Sequence, residues 1–141
     1  GEGEMSNATD VKQVVVPLYA ADWDGNNKVM PVLRAPNAED GGGLTILRAY
    51  AVNQAATTSG TAFSLALHNY GTGGTAIKAS GGTVAAAIGG TADAFVAGKP
   101  KAFVLSNAYL AAGEWLVLVK AEANSSDPTR GVVVIDYLLG K

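Results

Sequence analysis

The amino-acid sequence predicts an all-β protein: a single β-sandwich, jelly-roll-like, with about eight strands. Short runs of β-branched and aromatic residues recur along the chain, and turn sequences such as DGNN, EDGGG, TTSG and GTGG separate them. Within several runs, apolar and polar residues alternate, as they do in strands that bury one face. No apolar stripe of helical period lasts beyond about two turns, so a long helix is not expected.

The first ten residues, GEGEMSNATD, carry no such pattern. They predict a flexible N-terminal arm over residues 1–10, followed by a sandwich domain over residues 11–141. The arm is too polar to bury surface by itself, so it would become ordered only against a partner. Its candidate partner-binding residues are Glu2, Glu4, Met5 and Asn7. Met5 is the expected anchor, because a flexible thioether fits irregular grooves.

Nine segments of the sandwich domain are candidate strands. In chain order they are KQVVVPLYA (12–20), KVMPVLRA (28–35), LTILRAYAV (44–52), TAFSLALHN (61–69), TAIKA (75–79), TVAAAI (83–88), KAFVLSN (101–107), EWLVLVKAEA (114–123) and GVVVIDYLLG (131–140). The alanine-rich TVAAAI and AYLAAG could instead form single helical turns. Pro17 and Pro31 lack the backbone donor, so both are expected on edge strands or at bulges.

Alternation assigns the core. In TAFSLALH the residues Phe63, Leu65 and Leu67 share a face. In EWLVLVKAEA the shared face begins at Trp115, and the opposite face turns polar at Lys120, which predicts that this opposite face is the wet one. The residues expected to be mostly buried are Phe63, Leu65, Leu67, Phe103, Leu105, Trp115, Val117, Val119, Val133 and Ile135.

Composition argues against several classes of protein. The chain has no cysteine, so disulfides and thiolate metal sites are excluded. Its net charge is −2 and its Lys and Arg residues are scattered, which argues against nucleic acid as a partner. No apolar run approaches the length of a membrane span. The acidic, polar start does not resemble a secretory signal, so synthesis in the cytoplasm is expected.

The glycine-rich stretch HNYGTGGTAIKASGG raises the question of a phosphate site. A P-loop requires Gly-Lys-Ser or Gly-Lys-Thr, which occurs nowhere in the chain. A dinucleotide loop requires a third glycine where Ala76 stands after Gly71 and Gly73. We therefore interpret the glycines as turn residues and expect no catalytic residues and no cofactor.

The segment DWDGNN contains the candidate metal site. Asp22, Asp24 and Asn26 follow the alternating spacing of a calcium loop, but Leu33 stands where such a loop has its bidentate glutamate. Asp-Gly is also a strong hairpin signal. A hairpin turn is the preferred interpretation, and calcium ligation is the alternative.

Three further features have a structural and a functional interpretation. The single histidine, His68, is interpreted as a surface residue and not as a catalytic base. Arg48 and Asp136 interrupt apolar strands, either as a buried ion pair or, as preferred, as two outward-facing charges. Trp115 is assigned to the core, which leaves Trp23 as the tryptophan more available to a sugar.

Two segments resemble a known class of protein. FSLALHNYGTGGTAI and KAFVLSNAYLAAGEWLVLVKAEA, with the final RGVVVIDYLLGK, are similar to small β-sandwich virion proteins of tailed bacteriophages, of the capsid decoration or cement type. The resemblance covers roughly residues 60–141. The residues that carry it are Asn69, Tyr70, Gly71 and Thr72, then Leu110, Gly113, Glu114 and Trp115.

This resemblance implies a non-enzymatic structural role. Such proteins bind the outer surface of an assembled capsid, often as homotrimers, and bridge neighbouring major capsid subunits. The expected partners are therefore the major capsid protein and other copies of this chain, and the expected location is the outer surface of a virion. The alternative function is a jelly-roll carbohydrate- or receptor-binding module displayed on a fibre or a cell surface.

Overall fold

The computed structural model describes residues 10–18, 27–57, 63–90, 93–122 and 131–140. Nine strands lie in these ranges: β1 (Lys12–Leu18), β2 (Lys28–Arg34), β3 (Leu44–Asn53), β4 (Phe63–Asn69), β5 (Thr83–Gly89), β6 (Lys101–Ala102), β7 (Tyr109–Leu110), β8 (Trp115–Glu122) and β9 (Gly131–Leu139). One turn of 3-10 helix, Ala38–Asp40, separates β2 from β3. None of the described helical segments is long and apolar enough to cross a membrane.

The strands form two antiparallel sheets. The first sheet has the order β1-β9-β3-β6, with β7 paired to the other end of β3. The second sheet has the order β2-β8-β4-β5. Their inward side chains form one shared core, so the predicted all-β sandwich is confirmed. The jelly-roll topology stays a prediction. The strand orders of the two sheets favour it if β6 and β7 are counted as one interrupted strand, because the chain then follows two Greek keys.

Proline stands on an edge strand of each sheet. Pro17 lies in β1 and Pro31 lies in β2, and among the described strands each of these two has a single neighbour in its sheet. The pairing of β2 with β8 also shifts register between Pro31 and Leu33. The prediction for both prolines is confirmed, because an edge position does not need the backbone N–H that proline lacks.

The core fills the space between the two sheets. Its fully buried large side chains include Leu18, Leu44, Leu65, Leu67, Phe95, Leu110, Leu116, Leu118 and Ile135. Phe95 comes from the loop after β5, and its ring stacks on Phe63 with centroids 5.0 Å apart. The Phe95 N–H donates to the Thr57 hydroxyl at 3.0 Å, and the Thr57 N–H donates to the Phe95 carbonyl at 3.1 Å. These two bonds fix a loop residue within the core of the sandwich.

The predicted inward face of β8 is wrong. Leu116 and Leu118 belong to the core, whereas Trp115 and Val119 face outward and are partly buried. Val117 is fully buried but lies on the outward face. Of the seven predicted core residues outside β8, Leu105 is only partly buried. The other six are buried as predicted: Phe63, Leu65, Leu67, Phe103, Val133 and Ile135.

Lys120 occupies the inward face of β8 near the end of the strand. It is fully buried, and its Nζ lies 5.2 Å from the centre of the Phe63 ring. A cation above an aromatic ring interacts favourably with the negative face of the ring. The polar side chain therefore did not mark the outward face here.

Two predicted strands also differ from the structure. TAIKA forms bends and turns, not a strand, and in KAFVLSN only Lys101 and Ala102 form a strand. TVAAAI is strand β5, which confirms its prediction as a strand, and AYLAAG contains strand β7, so neither forms a helical turn. Of the predicted arm only Asp10 is described, and it is exposed.

Candidate functional site

Two loops meet at one end of the second sheet. They are residues 70–82, after β4, and residues 111–114, before β8. The N–H of Tyr70 donates to the carbonyl of Trp115 at 2.9 Å, and the N–H of Trp115 donates to the carbonyl of Gly71 at 3.0 Å. These bonds extend the β4–β8 ladder and hold the two loops together.

Glu114 forms the centre of this junction. Its Oε1 accepts hydrogen bonds of 2.9 Å from Asn69 Nδ2 and from the Ala111 N–H. Its Oε2 lies 2.9 Å from Lys78 Nζ. Asn69 is 1% exposed and Glu114 is 8% exposed, so their side chains form hydrogen bonds with each other in place of hydrogen bonds with water. We call Asn69, Lys78 and Glu114 the Glu114 cluster.

The cluster keeps Glu114 ionised. Burial raises the pKa of this carboxyl, but the hydrogen bonds from Lys78, Asn69 and the Ala111 N–H outweigh it. The resulting pKa lies below the ordinary value of 4.5. The carboxylate is therefore charged at neutral pH.

The glycine-rich stretch forms the loop of this junction. Gly71, Gly74 and Gly81 have φ values of 65°, 73° and 70°, which favour glycine over residues with a Cβ. The Gly71 N–H also donates to Asn69 Oδ1 at 2.8 Å. The interpretation of these glycines as turn residues agrees with this geometry.

The outward face above the junction carries aromatic side chains and one cation. Arg34 and Tyr70 flank Trp115, and the Arg34 guanidinium lies 5.8 Å from the centre of the indole. The rings of His68 and Tyr70 stack with centroids 6.4 Å apart. We call Arg34, His68, Tyr70 and Trp115 the aromatic row. Trp115 was assigned to the core by its sequence, but it lies in this row because β8 has the opposite orientation.

His68 is half-buried within the row. Burial lowers its pKa below 6.5, so the imidazole is neutral near pH 7. Ser64, the hydroxyl on the same face of β4, pairs with Ala121, whereas His68 pairs with Val117 at the other end of the strand. The two side chains are therefore too far apart for the hydrogen bond that a serine nucleophile and its base would share.

The first sheet has an outward face that is largely apolar. Val15 and Tyr50 both pair with Val134, and Pro17 pairs with Val132 in the next outward row. Val15 is 50% exposed. We call these five residues the first-sheet face.

A polar triad borders the first-sheet face. Asp136 accepts hydrogen bonds from Gln13 Nε2 at 2.8 Å and from Arg48 Nε at 2.5 Å. These bonds hold the pKa of Asp136 below its ordinary value of 3.8. Arg48 and Asp136 face outward, as preferred from the sequence, yet they also form an ion pair whose carboxylate is buried while the arginine is exposed. The charges thus compensate each other within the chain.

Several predicted site residues lie outside the described residues. These are Glu2, Glu4, Met5 and Asn7 of the arm, and Asp22, Asp24 and Asn26 of the candidate calcium loop. Within the described part of the chain, no group of three or more His, Asp or Glu side chains could hold a metal ion.

Asn69 and Glu114 are among the residues that carry the resemblance, but their sequence positions do not indicate that they contact each other or Lys78. One feature of the sequence could have indicated the site: Asn69 is the last residue of β4, and Glu114 directly precedes β8. Comparison with protein-family models, curated proteins and solved structures found no match for this chain. The functional proposals therefore rest on the geometry of these surfaces and on the resemblance described above.

Proposed function

We propose that this protein is a non-enzymatic virion structural protein. It binds the outer surface of a tailed-phage capsid and stabilises the shell by bridging major capsid subunits. It is made in the host cytoplasm and assembles as a homotrimer. The observation that carries the proposal is the first-sheet face, a largely apolar sheet surface suited to packing against another protein.

The charges around this face favour an apolar contact. Arg48 and Asp136 compensate each other, so the face can be covered without leaving a carboxylate unpaired. Val15 contributes exposed apolar area on the same face as Tyr50, across Val134, and aromatic residues are enriched at protein interfaces. We assign this face to the capsid subunit.

The edges of the two sheets favour the same mode of binding. Pro17 and Pro31 remove a backbone donor from β1 and β2, which makes these edges poor templates for an added strand. Association through the surface of a sheet, rather than through its edge, therefore fits the described edges better.

The residues that carry the resemblance support a structural role. Asn69 and Glu114 bind each other across two loops, and Gly71 and Trp115 extend the ladder beside them. Their positions account for this combination of residue types, because each one stabilises the same junction.

The test compares two valine-to-lysine variants on undecorated capsids. Val15→Lys places a charge on the first-sheet face, whereas Val96→Lys changes a valine of similar exposure, 54%, in the loop after β5. We expect Val15→Lys to weaken capsid binding about tenfold or more, and Val96→Lys to bind like the unchanged protein. Equal occupancy of both variants would refute the assignment of the face, as would a change in oligomeric mass without a change in capsid affinity.

The arm gives a second test of the same function. Deleting residues 1–10 should leave the sandwich folded, because β1 begins at Lys12. It should weaken binding to the capsid or between sister copies, as measured by occupancy and by oligomeric mass. Full decoration and normal assembly by the shortened chain would show that the arm takes no part.

The aromatic row favours a second candidate function, a carbohydrate- or receptor-binding module. Trp115 and Tyr70 are neighbours on the outward face of the second sheet, and Arg34 adds hydrogen-bond donors beside the indole. Tryptophan fluorescence in a Trp23→Phe background would report a bound sugar through Trp115. A saturable change that Tyr70→Ala weakens would support this candidate, and an unchanged signal across a glycan panel would exclude those glycans as ligands at this row.

A further inference from the structure

The Glu114 cluster contains the reactants for a covalent cross-link. We propose that Lys78 and Asn69 become joined by an intramolecular amide bond between Lys78 Nζ and Asn69 Cγ, with Glu114 transferring the protons. The inference is independent of the capsid and carbohydrate proposals, because it concerns a modification of this chain by its own residues.

The backbone brings the two reacting residues together. The Lys78 N–H donates to the Asn69 carbonyl at 2.9 Å, which closes the loop between them. Both side chains then bind one carboxylate, Asn69 through Oε1 and Lys78 through Oε2 of Glu114. Fixing an amine and an amide on the same group replaces a bimolecular encounter with an intramolecular one.

The Asn69 side chain is arranged as an electrophile. Its Oδ1 accepts a 2.8 Å hydrogen bond from the Gly71 N–H, and this donor would stabilise negative charge as the amine attacks Cγ. Asn69 is almost completely buried, so water has little access to compete at the same carbon.

Glu114 is placed to act as base and then as acid. Its carboxylate contacts the Lys78 ammonium, from which it can take a proton to release the nucleophilic amine. Its other oxygen contacts Asn69 Nδ2, the leaving nitrogen, to which it can return a proton. The lowered pKa keeps this group ionised before the reaction. It is the catalytic residue of the proposed step, because it touches both reacting nitrogens.

The step balances without a further reactant. The Nζ–Cγ bond forms and the Cγ–Nδ2 bond breaks. The lysine ammonium loses two protons: one completes ammonia on the leaving nitrogen, and the second converts that ammonia to ammonium in neutral water. No atom is oxidised or reduced. The Lys78 side chain is 37% exposed, which gives the leaving molecule a route to solvent.

The test is the intact mass of the purified full chain, measured after denaturation. We expect a mass lower than that of the sequence by one ammonia molecule, and proteolysis should yield a branched peptide that joins the Asn69 and Lys78 segments. Lys78→Arg is the matched control, because it preserves the positive charge beside Glu114 but lacks the nucleophilic amine. This variant should have the full mass, as should Glu114→Gln.

Three results would overturn the proposal. The first is a full mass and no branched peptide after prolonged incubation of the unchanged protein, which would make the cluster an ordinary ion pair. The second is an ammonia loss that persists in Lys78→Arg, because cyclisation of an asparagine could produce it without lysine. The third is a branched peptide at another lysine. The measurements on the unchanged chain decide the question even if a variant fails to fold.

Discussion

The indole of Trp115 lies against Gly74, and a Cβ added at Gly74 would lie 3.0 Å from its Cδ1 atom. Gly74 also has a φ of 73°, which disfavours residues with a Cβ. We predict that Gly74→Ala destabilises the protein by about 1–3 kcal/mol and displaces the indole. Gly73→Ala is the control, because Gly73 has open space around it. Urea unfolding and tryptophan emission measure both effects, and equal stability of the two variants would contradict the prediction.

The buried stack of Phe63 and Phe95 predicts that Phe95 contributes more to the free energy of unfolding than the partly buried Trp115 does. Phe95→Ala should destabilise the protein by about 3–5 kcal/mol, because it leaves a cavity in the core. Trp115→Ala should cost less, since Trp115 lies on the outward face. Val96→Ala tests the same loop without opening the core. Thermal and urea unfolding provide the comparison, and the opposite ranking of Phe95 and Trp115 would show that the assigned faces are wrong.

Glu114 predicts a loss of stability in acid. Its folded-state pKa is below 4.5, so its contribution is fully present above that pH and disappears as the pH falls through the folded-state value. Glu114→Gln should therefore be less stable at neutral pH and should approach the parent as the solution becomes acidic. The comparison is made in a Lys78→Arg background, which cannot form the proposed amide bond. A stability difference that does not change with pH would exclude this contribution.

Calcium should not change the melting temperature. The segment with Asp22, Asp24 and Asn26 is interpreted as a hairpin turn, although it lies outside the described residues. Thermal unfolding with millimolar calcium, and again with chelator, measures the effect. A clear rise with calcium would reverse the interpretation, because a ligand that binds only the folded state must stabilise it.

Alternation predicted the sandwich and the inward face of β4, since polar and apolar residues occupy opposite sides of that strand. It did not determine the orientation of β8, where WLVLV is apolar at every position and both orientations bury hydrophobic side chains. Lys120 then gave a misleading signal, because a lysine can lie inward where its charge meets Phe63. Phe95 was missed because it lies in a loop with no periodic pattern.

The candidate sites were predictable only in part. Asn69 and Glu114 were visible as unusual residues at strand ends, but their contact spans 45 positions in sequence and depends on the pairing of β4 with β8. The aromatic row followed from the same pairing and from the orientation of Trp115. The spacing of residues along the sequence predicts neither the Asn69–Glu114 contact nor the aromatic row, because both depend on which strands pair.

The position of β9 has a consequence for how the protein folds. This strand lies between β1 and β3. The first sheet therefore cannot form until β9 (Gly131–Leu139) has paired with β1 (Lys12–Leu18), more than a hundred residues earlier in the sequence. Pairings of such long sequence separation make folding slow, because the chain loses its freedom before it gains the contacts. During synthesis β1 and β3 would wait with their apolar sides uncovered, so a chain stalled before residue 131 is expected to depend on chaperones.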